Sequence, residues 1–431
     1  MEPFKLPDTF LLGTATASLQ IEGGDRNNSW FRWCEQGHVK EGHCAVACDH
    51  WNRVEEDTTL MKSLNHHTYR LSIEWSRIEP EKGRFDPTAM AHYRREIEGL
   101  TEAGIVPLVT LHHFSNPLWL EDAGAWINPE VVGIFERYTA YVVEALGDLV
   151  ADWVTINEPN VYAAFGYLLG NWPPGKTNLS DCLKVARNMA LAHINSYRKI
   201  HEMRAGMGKT DTMVGVANHL RLFESKNGYL HEKWLAALVS HLFEGMFVTA
   251  MAEGRLTLPL GSGYPLGKGR YVDFMGINYY SREMISFTSD PGMLFAKMET
   301  RAGAPVNDLG WEIYPEGLYL FCRKYWDRYG VPIYITENGT CDNRDAFRAR
   351  YIYDHLYQVK RLIDEGVDVR RYYHWTFTDN FEWEAGMAAK FGIVELNYET
   401  QERKVRPSGL FFADVCRDRG VTEEMIASYL Q

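Results

Sequence analysis

The sequence predicts an α/β fold, a single (β/α)8 barrel with extended βα loops occupying residues 1–431. Two observations lead there. Short β-branched or aromatic runs alternate with amphipathic helical segments, the rhythm of βα units around a parallel sheet. No Ser/Gly-rich linker, charge block or internal repeat divides the chain, and α/β barrels of this length occur as one unit.

Eight runs read as strands: Phe10–Ser18, Thr68–Trp75, Pro107–Phe114, Trp153–Asn157, Met213–Asn218, Phe274–Tyr280, Ile333–Glu337 and Arg371–Phe377. Helices fit between them. Asp86-Pro87 opens one that runs to about Glu102, with proline in the first turn. Pro129–Leu146 stops at Gly147, and Leu230–Glu253 is long and apolar along one stripe. Pro315–Tyr329 and Arg344–Glu365 follow, the latter stopped by Gly366. The intervals exceed a minimal βα unit, so the loops after the strands carry insertions.

Composition excludes several function classes. Hydrophobic residues make up 45% and charged residues 24%, which suits a globular chain and excludes disorder. Forty-five basic against 57 acidic residues give a net charge of −12, a poor footprint for nucleic acid or an anionic membrane. No stretch reads as the roughly 18–20 apolar residues that cross a bilayer. The first residues, Met1-Glu2-Pro3-Phe4-Lys5, lack the basic and apolar regions of a secretory signal. The seven cysteines are odd in number and scattered, as expected of reduced thiols, so the expected location is cytoplasmic. Cys34, His38, His43, Cys44, Cys48 and His50 have ligand types that suit zinc. Their spacings match no standard finger, and the reading is an ordinary loop with no metal.

In a (β/α)8 barrel the C-terminal ends of the strands build the site. Those ends and the loops after them carry Gln20, Arg70 with Glu74 and Trp75, His112 with His113, Asn157 with Glu158, and Asn218. Asn278 with Tyr279 and Tyr280, Glu337 with Asn338, Trp375, and Asp379-Asn380-Phe381-Glu382-Trp383 complete the set. Amides, carboxylates, imidazoles and indoles suit hydroxyls and sugar faces. No Gly-rich phosphate loop lies between a strand and a helix, so no cofactor is expected. Glu158 ends the fourth strand and Glu337 the seventh, on opposite sides of an eight-stranded barrel. A facing acid and nucleophile is what glycosidic cleavage requires.

These motifs together resemble glycoside hydrolase family 1, the β-glucosidase family. Thr155–Pro159 carries its Thr-x-Asn-Glu-Pro pattern, Ile335–Gly339 its Ile-Thr-Glu-Asn-Gly, and Asp379–Trp383 its Asp-Asn-Phe-Glu-Trp. The likeness runs from Phe10–Ser18 to Arg406-Pro407-Ser408. It implies a retaining exo-β-glycosidase acting on terminal non-reducing β-D-glucosyl residues, with Glu158 as acid/base and Glu337 as nucleophile. Arg70 is then expected to lower the pKa of Glu337, Tyr280 to donate to the same carboxylate, and the Glu337 charge to raise Glu158. Asn157 is expected to bond the sugar 2-hydroxyl. The resemblance further implies a pocket of Gln20, His113, Asn157, Glu382 and Trp383, floored by Trp375, with Trp311 as an aglycone platform. The expected partner is a small β-glycoside or oligosaccharide, and barrels of the family include monomers, dimers and larger assemblies, so a homo-oligomer fits.

Three departures stand out. The family's His-Trp-Asp is His113-Phe114-Ser115 here, Met387 replaces a common aromatic near the entrance, and the Lys and Tyr of phospho-sugar relatives are Ala389 and Phe391. With Glu382 present, an unphosphorylated sugar is expected. The glycone stays open among glucose, galactose and fucose, and transfer to a sugar hydroxyl competes with hydrolysis. A non-catalytic sugar-binding barrel lacks support because both carboxylates are present. A metal hydrolase built on His112 and His113 meets the objection that neighbours on a strand face opposite sides.

Overall fold

A computed structural model describes residues 1–290 and 294–430. Eight parallel strands close into a ring: β1 (Leu11–Ala15), β2 (Thr68–Ser72), β3 (Val106–His112), β4 (Asp152–Asn157), β5 (Met213–Ser225), β6 (Met275–Phe287), β7 (Ile333–Asn338) and β8 (Val369–Trp375). Each pairs with its sequence neighbours, β8 returns to β1, and helices cover the outside.

The predicted strands are all present, with shifted ends. β5 and β6 run on past the barrel mouth as a paired ribbon to Ser225 and Ile285, and Ala296–Glu299 adds an antiparallel edge to β6. The sequence reading stopped both strands at the mouth, because burial turns irregular beyond it.

Local chemistry sets the helix ends. Asp86 accepts from the amides of Thr88 and Ala89 ahead of Pro87–Glu102. The penultimate helix of the barrel begins at Arg348 rather than Arg344, because Asp342 accepts the amides of Phe347 and Arg348. Leu179–Gly206, capped by the Asn178 side chain, is a long helix that the sequence reading did not assign; it packs along Val131–Leu146.

Leu230–Glu253 forms a continuous helical run with a wide turn at His241–Gly245. By length and composition alone it is apolar enough to span a bilayer, contrary to the sequence reading, but rather more than half of its most apolar window is buried. Its first turns leave Leu230, Trp234 and Leu238 exposed.

The barrel interior is filled by polar groups rather than the usual branched apolar layers. Toward the N-terminal end, Arg371 pairs with Asp152 at 2.7 Å, Tyr334 donates to Asp152 at 3.2 Å, and Tyr373 meets Thr68 at 2.8 Å. Above them lie Arg70, Thr110, Asn157, Asn278 and Glu337: Arg70 donates to Thr110, Asn157 and Glu337, and Asn278 donates to Asn157. Strand contact is closest at Gly13, where an added Cβ would stand 1.7 Å from the Thr68 carbonyl oxygen of β2. Any side chain there pushes β1 off β2. Gly13→Ala is therefore expected to cost at least about 2–3 kcal/mol, the upper range of overpacking penalties. Urea unfolding read by circular dichroism checks this; an unchanged midpoint would contradict the close approach.

Candidate active site

The strand ends converge on a cavity of about 370 Å³, within the usual range for small-molecule sites. Glu158, Glu337, Asn157, His113, Tyr280, Trp311, Trp375, Glu382 and Trp383 all line it. Arg70 lies beneath, fully buried. Gln20 is behind the wall: its amide nitrogen donates to Phe381 O at 2.9 Å and approaches Asn380 and Glu382, while its Oε1 has no partner among the described residues.

Glu337 closes the β7 motif and receives two short hydrogen bonds. Arg70 Nη1 donates to one oxygen at 2.6 Å, and the Tyr280 hydroxyl donates to the other at 2.6 Å. The Arg70 fork also reaches Asn157 Oδ1 at 2.6 Å, Thr336 O at 3.1 Å and Thr110 Oγ1 at 3.0 Å. Three strands are tied to one guanidinium.

Glu158 ends β4 in the left-handed region, with φ +41°, as the chain turns into Pro159–Ala164. Its amide donates to Ala217 O at 2.8 Å, which pins the turn. One carboxylate oxygen contacts Asn278 Nδ2 at 2.9 Å and His219 Nδ1 at 3.0 Å; the other has no partner among the described residues. Asn278 also donates to Asn157 Oδ1 at 3.1 Å, so amides and Arg70 bridge the two acids. Phe114 and Trp383 are likewise left-handed, at φ +67° and +49°. Such strain, about 1–3 kcal/mol per residue, gathers where the backbone must aim a functional group.

The electrostatics differ from the sequence expectation. Burial pushes the Glu337 carboxyl up to about 7, the Glu158 charge adds to this, and Arg70 and Tyr280 only partly oppose it. Arg70 was expected to hold it low; removal from water outweighs the guanidinium. Glu158 was expected to be raised. Burial does raise it, but His219, Asn278 and Arg70 together take it below the usual range. Titration belongs to the pair, which carries about one shared proton near neutrality. Hydrogen bonding then fixes the distribution. Both Glu337 oxygens already accept, whereas Glu158 keeps one oxygen free to hold a proton toward the cavity.

Around the acids stands a polar and aromatic wall. Asn157 Nδ2 meets His113 Nε2 at 2.9 Å, leaving His113 Nδ1 unpartnered, and Trp375 Nε1 donates to Glu382 at 3.1 Å. Burial lifts Glu382 to about 8, with the Glu337 charge adding to it and Trp375 opposing. Trp383 packs on Trp30 at 4.9 Å and edge-on to Phe114 at 5.1 Å. Trp311 meets Tyr280 edge-on at 5.9 Å.

Several strand-end residues serve the frame instead. His112 faces away from the cavity, bonded to Asn116 at 3.1 Å and packed on Trp126. Asn218 bonds Val216 O and Gly276 O, and Glu74 bonds Ser18 and Ser76. Met387 packs beside Gly42 rather than lining the cavity, while Ala389 and Phe391 do line it. The sequence reading did not single out His219, Lys40, Trp172, Arg221 or Glu384, all of which line the cavity. For His219 the available signal was its place beside Asn218, and for Glu384 its place beside Trp383.

Comparison with known proteins agrees with this geometry. The profile of Glycosyl hydrolase family 1 matches residues 3–258 and 267–421. Beta-glucosidase A of Acetivibrio thermocellus is 33% identical over 97% of this chain and all of its own length. A beta-galactosidase of Pyrococcus woesei is 30% identical, covering 97% of this chain and 98% of its own. Among solved structures, the beta-glycosidase from Pyrococcus horikoshii superposes with a TM-score of 0.91 at 35% identity, covering 99% of this chain and 98% of its own. The chain is a member of glycosyl hydrolase family 1.

Proposed function

We propose that the protein is a retaining exo-β-glycosidase that releases terminal β-D-glucosyl residues from unphosphorylated β-glycosides, acting as one domain in the cytoplasm. The observation that carries the reading is the unequal setting of two acids in one cavity. Glu337 has both oxygens held by short donors, whereas Glu158 has one oxygen free.

In the first step the free Glu158 oxygen gives its proton to the glycosidic oxygen. The bond from that oxygen to the anomeric carbon breaks as a Glu337 oxygen bonds to the same carbon. The aglycone leaves as an alcohol. Esterified Glu337 no longer bears charge, so Glu158 becomes easier to ionise and can take a proton from water in the second step. Water oxygen bonds the anomeric carbon and Glu337 leaves as carboxylate. Arg70 and Tyr280 hold the attacking oxygens in place and receive the returning charge. Asn157 would bond the 2-hydroxyl, where a contact strengthens in the transition state. Gln20 Oε1, just behind the wall, would accept a glycone hydroxyl beside Glu382, and His113 Nδ1, which carries the ring proton because Nε2 accepts from Asn157, would donate to another. Trp375 offers a floor and Trp311 an aglycone wall. The Lys and Tyr that phospho-sugar relatives carry are Ala389 and Phe391 here, so those positions offer a 6-phosphate no cation and no hydroxyl. Seven free cysteines suit a reducing compartment.

Substitution separates the roles. Glu337→Gly should abolish turnover of a nitrophenyl β-glucoside, and azide should restore part of it as the glycosyl azide of inverted configuration. Glu158→Ala should lower kcat/KM by about 10²–10⁴-fold for poor leaving groups and far less for activated ones. Equal losses for both leaving groups would contradict the acid assignment.

The pH profile follows from the burial of Glu337, raised to about 7. The pair must hold one proton for Glu158 to give it to the leaving oxygen, and its upper titration lies at about 7, so kcat/KM should fall as pH rises through about 7. Tyr280→Phe removes a donor that favours the carboxylate. A charged hydrogen bond worth about 1.5–3 kcal/mol should then move this limb upward by about 1–2 units. A limb that stayed or moved down would contradict the assignment.

A further inference from the structure

The loop Gln36–Cys48 forms part of the cavity rim, and its own anchor lies outside the catalytic machinery. Of the six cysteines and histidines between Cys34 and His50, the fold separates three. Cys48 Sγ is spent on Asp379 O at 3.2 Å, and His38 stacks on Trp33 at 3.8 Å. His50 sits between Asp57 at 2.7 Å and Glu96 at 3.0 Å. The other three converge. Cys34 Sγ, in the last turn of helix Ser29–Glu35, lies 3.8 Å from Cys44 Sγ. A ring nitrogen of His43 joins them, with all three ligand atoms within 4.8 Å of one another. The loop reading drawn from spacing alone does not anticipate this convergence.

We propose that Cys34, Cys44 and His43 form a binding site for a thiophilic divalent cation, with zinc the metal that fits. Two thiolates bound to tetrahedral zinc at about 2.3 Å each stand about 3.8 Å apart, the separation found here. Two sulfurs and an imidazole favour zinc over magnesium or calcium, which prefer oxygen ligands. His43 Nε2 already contacts Glu35 Oε1 at 3.0 Å. Ligation through Nδ1 therefore leaves Nε2–H on a carboxylate, the outer partner that orients metal-bound histidines. The cost is the present hydrogen bond from the Ala45 amide to Nδ1, 2.9 Å long, in a partly exposed loop where water can replace it. His43 is half-exposed and both thiols are buried, so the fourth position opens toward solvent. Binding releases one proton from each thiol.

The site has a route to the cavity. Between the two cysteines, Lys40 N–H donates to Glu384 O at 3.2 Å and Met387 N–H to Glu41 O at 2.9 Å. Gly386 lies so close to Glu41 that an added Cβ would stand 1.5 Å from its carbonyl oxygen. Helix Ser29–Glu35 also carries Trp30, which supports Trp383. A metal joining Cys34 to His43-Cys44 would close this loop on that helix and hold the rim against the segment bearing Glu384.

The test uses the full chain, reduced and metal-free, titrated with zinc against a chromophoric chelator. One zinc per chain is expected, with a zinc-dependent rise in Tm. Cys34→Ser and Cys44→Ser should each weaken binding at least 100-fold, taking ~100-fold as the upper bound for a lost outer-shell partner. Cys48→Ser should leave it unchanged. Mass-spectrometric mapping of alkylation on the wild-type chain decides the matter even if a variant fails to fold: zinc should protect Cys34 and Cys44. Binding that survives loss of both thiols, or no protection of these two by zinc, would overturn the proposal. A Cys34–Cys44 disulfide that persists in protein prepared under reductant with zinc present would overturn it too.

Discussion

One buried guanidinium ties the fold to the chemistry. Arg70 is wholly removed from water and distributes its donors to Glu337, Thr336, Asn157 and Thr110. Burying an ion pair costs several kcal/mol per ion unless geometry and further hydrogen bonds repay it. The repayment requires β2, β3, β4 and β7 to stand in one arrangement. The register that closes the barrel is thus also the register that places Glu337. The lower layer of Asp152, Arg371, Tyr334 and Tyr373 repeats the device and supports the upper one from below.

From this constraint the two acids acquire different tasks. Glu337 is deep, doubly held and short of motion, which suits an attacking atom. Glu158 stands on a strained turn with one oxygen free and a histidine beside it. His219 stacks near Tyr280 at 5.9 Å, so the groups that attend the two acids touch each other. A change of charge on one acid is felt by the other through a few buried polar contacts, where the low local dielectric makes electrostatic effects strong.

The sequence carried much of this. Eight apolar runs with acids, amides and indoles at their ends placed Arg70, Asn157, Glu158, Tyr280, Glu337, Trp375 and Glu382 in the right region, because strand ends converge in any (β/α)8 barrel. His219 escaped because the sequence reading ended its strand at Asn218; β5 runs on past the mouth, and with successive side chains alternating, His219 meets Glu158 while Asn218 turns to backbone carbonyls. Lys40, Trp172 and Glu384 come from loops whose approach no local pattern encodes. The pKa directions escaped for another reason: residue types reveal Arg70 beside Glu337, but burial, which outweighs it, is a property of the folded cavity. Cys34 and Cys44 likewise become neighbours only through the turn between them.

The claim that Glu337 attacks carbon, while Glu158 moves protons, has one direct stereochemical consequence. Proton NMR of the first sugar released from a β-glucoside, recorded before mutarotation, reads it without any variant. Two displacements at the anomeric carbon give the β-anomer first, as the account predicts. Initial release of the α-anomer would mean a single attack by water, and would contradict the assignment of Glu337 as nucleophile.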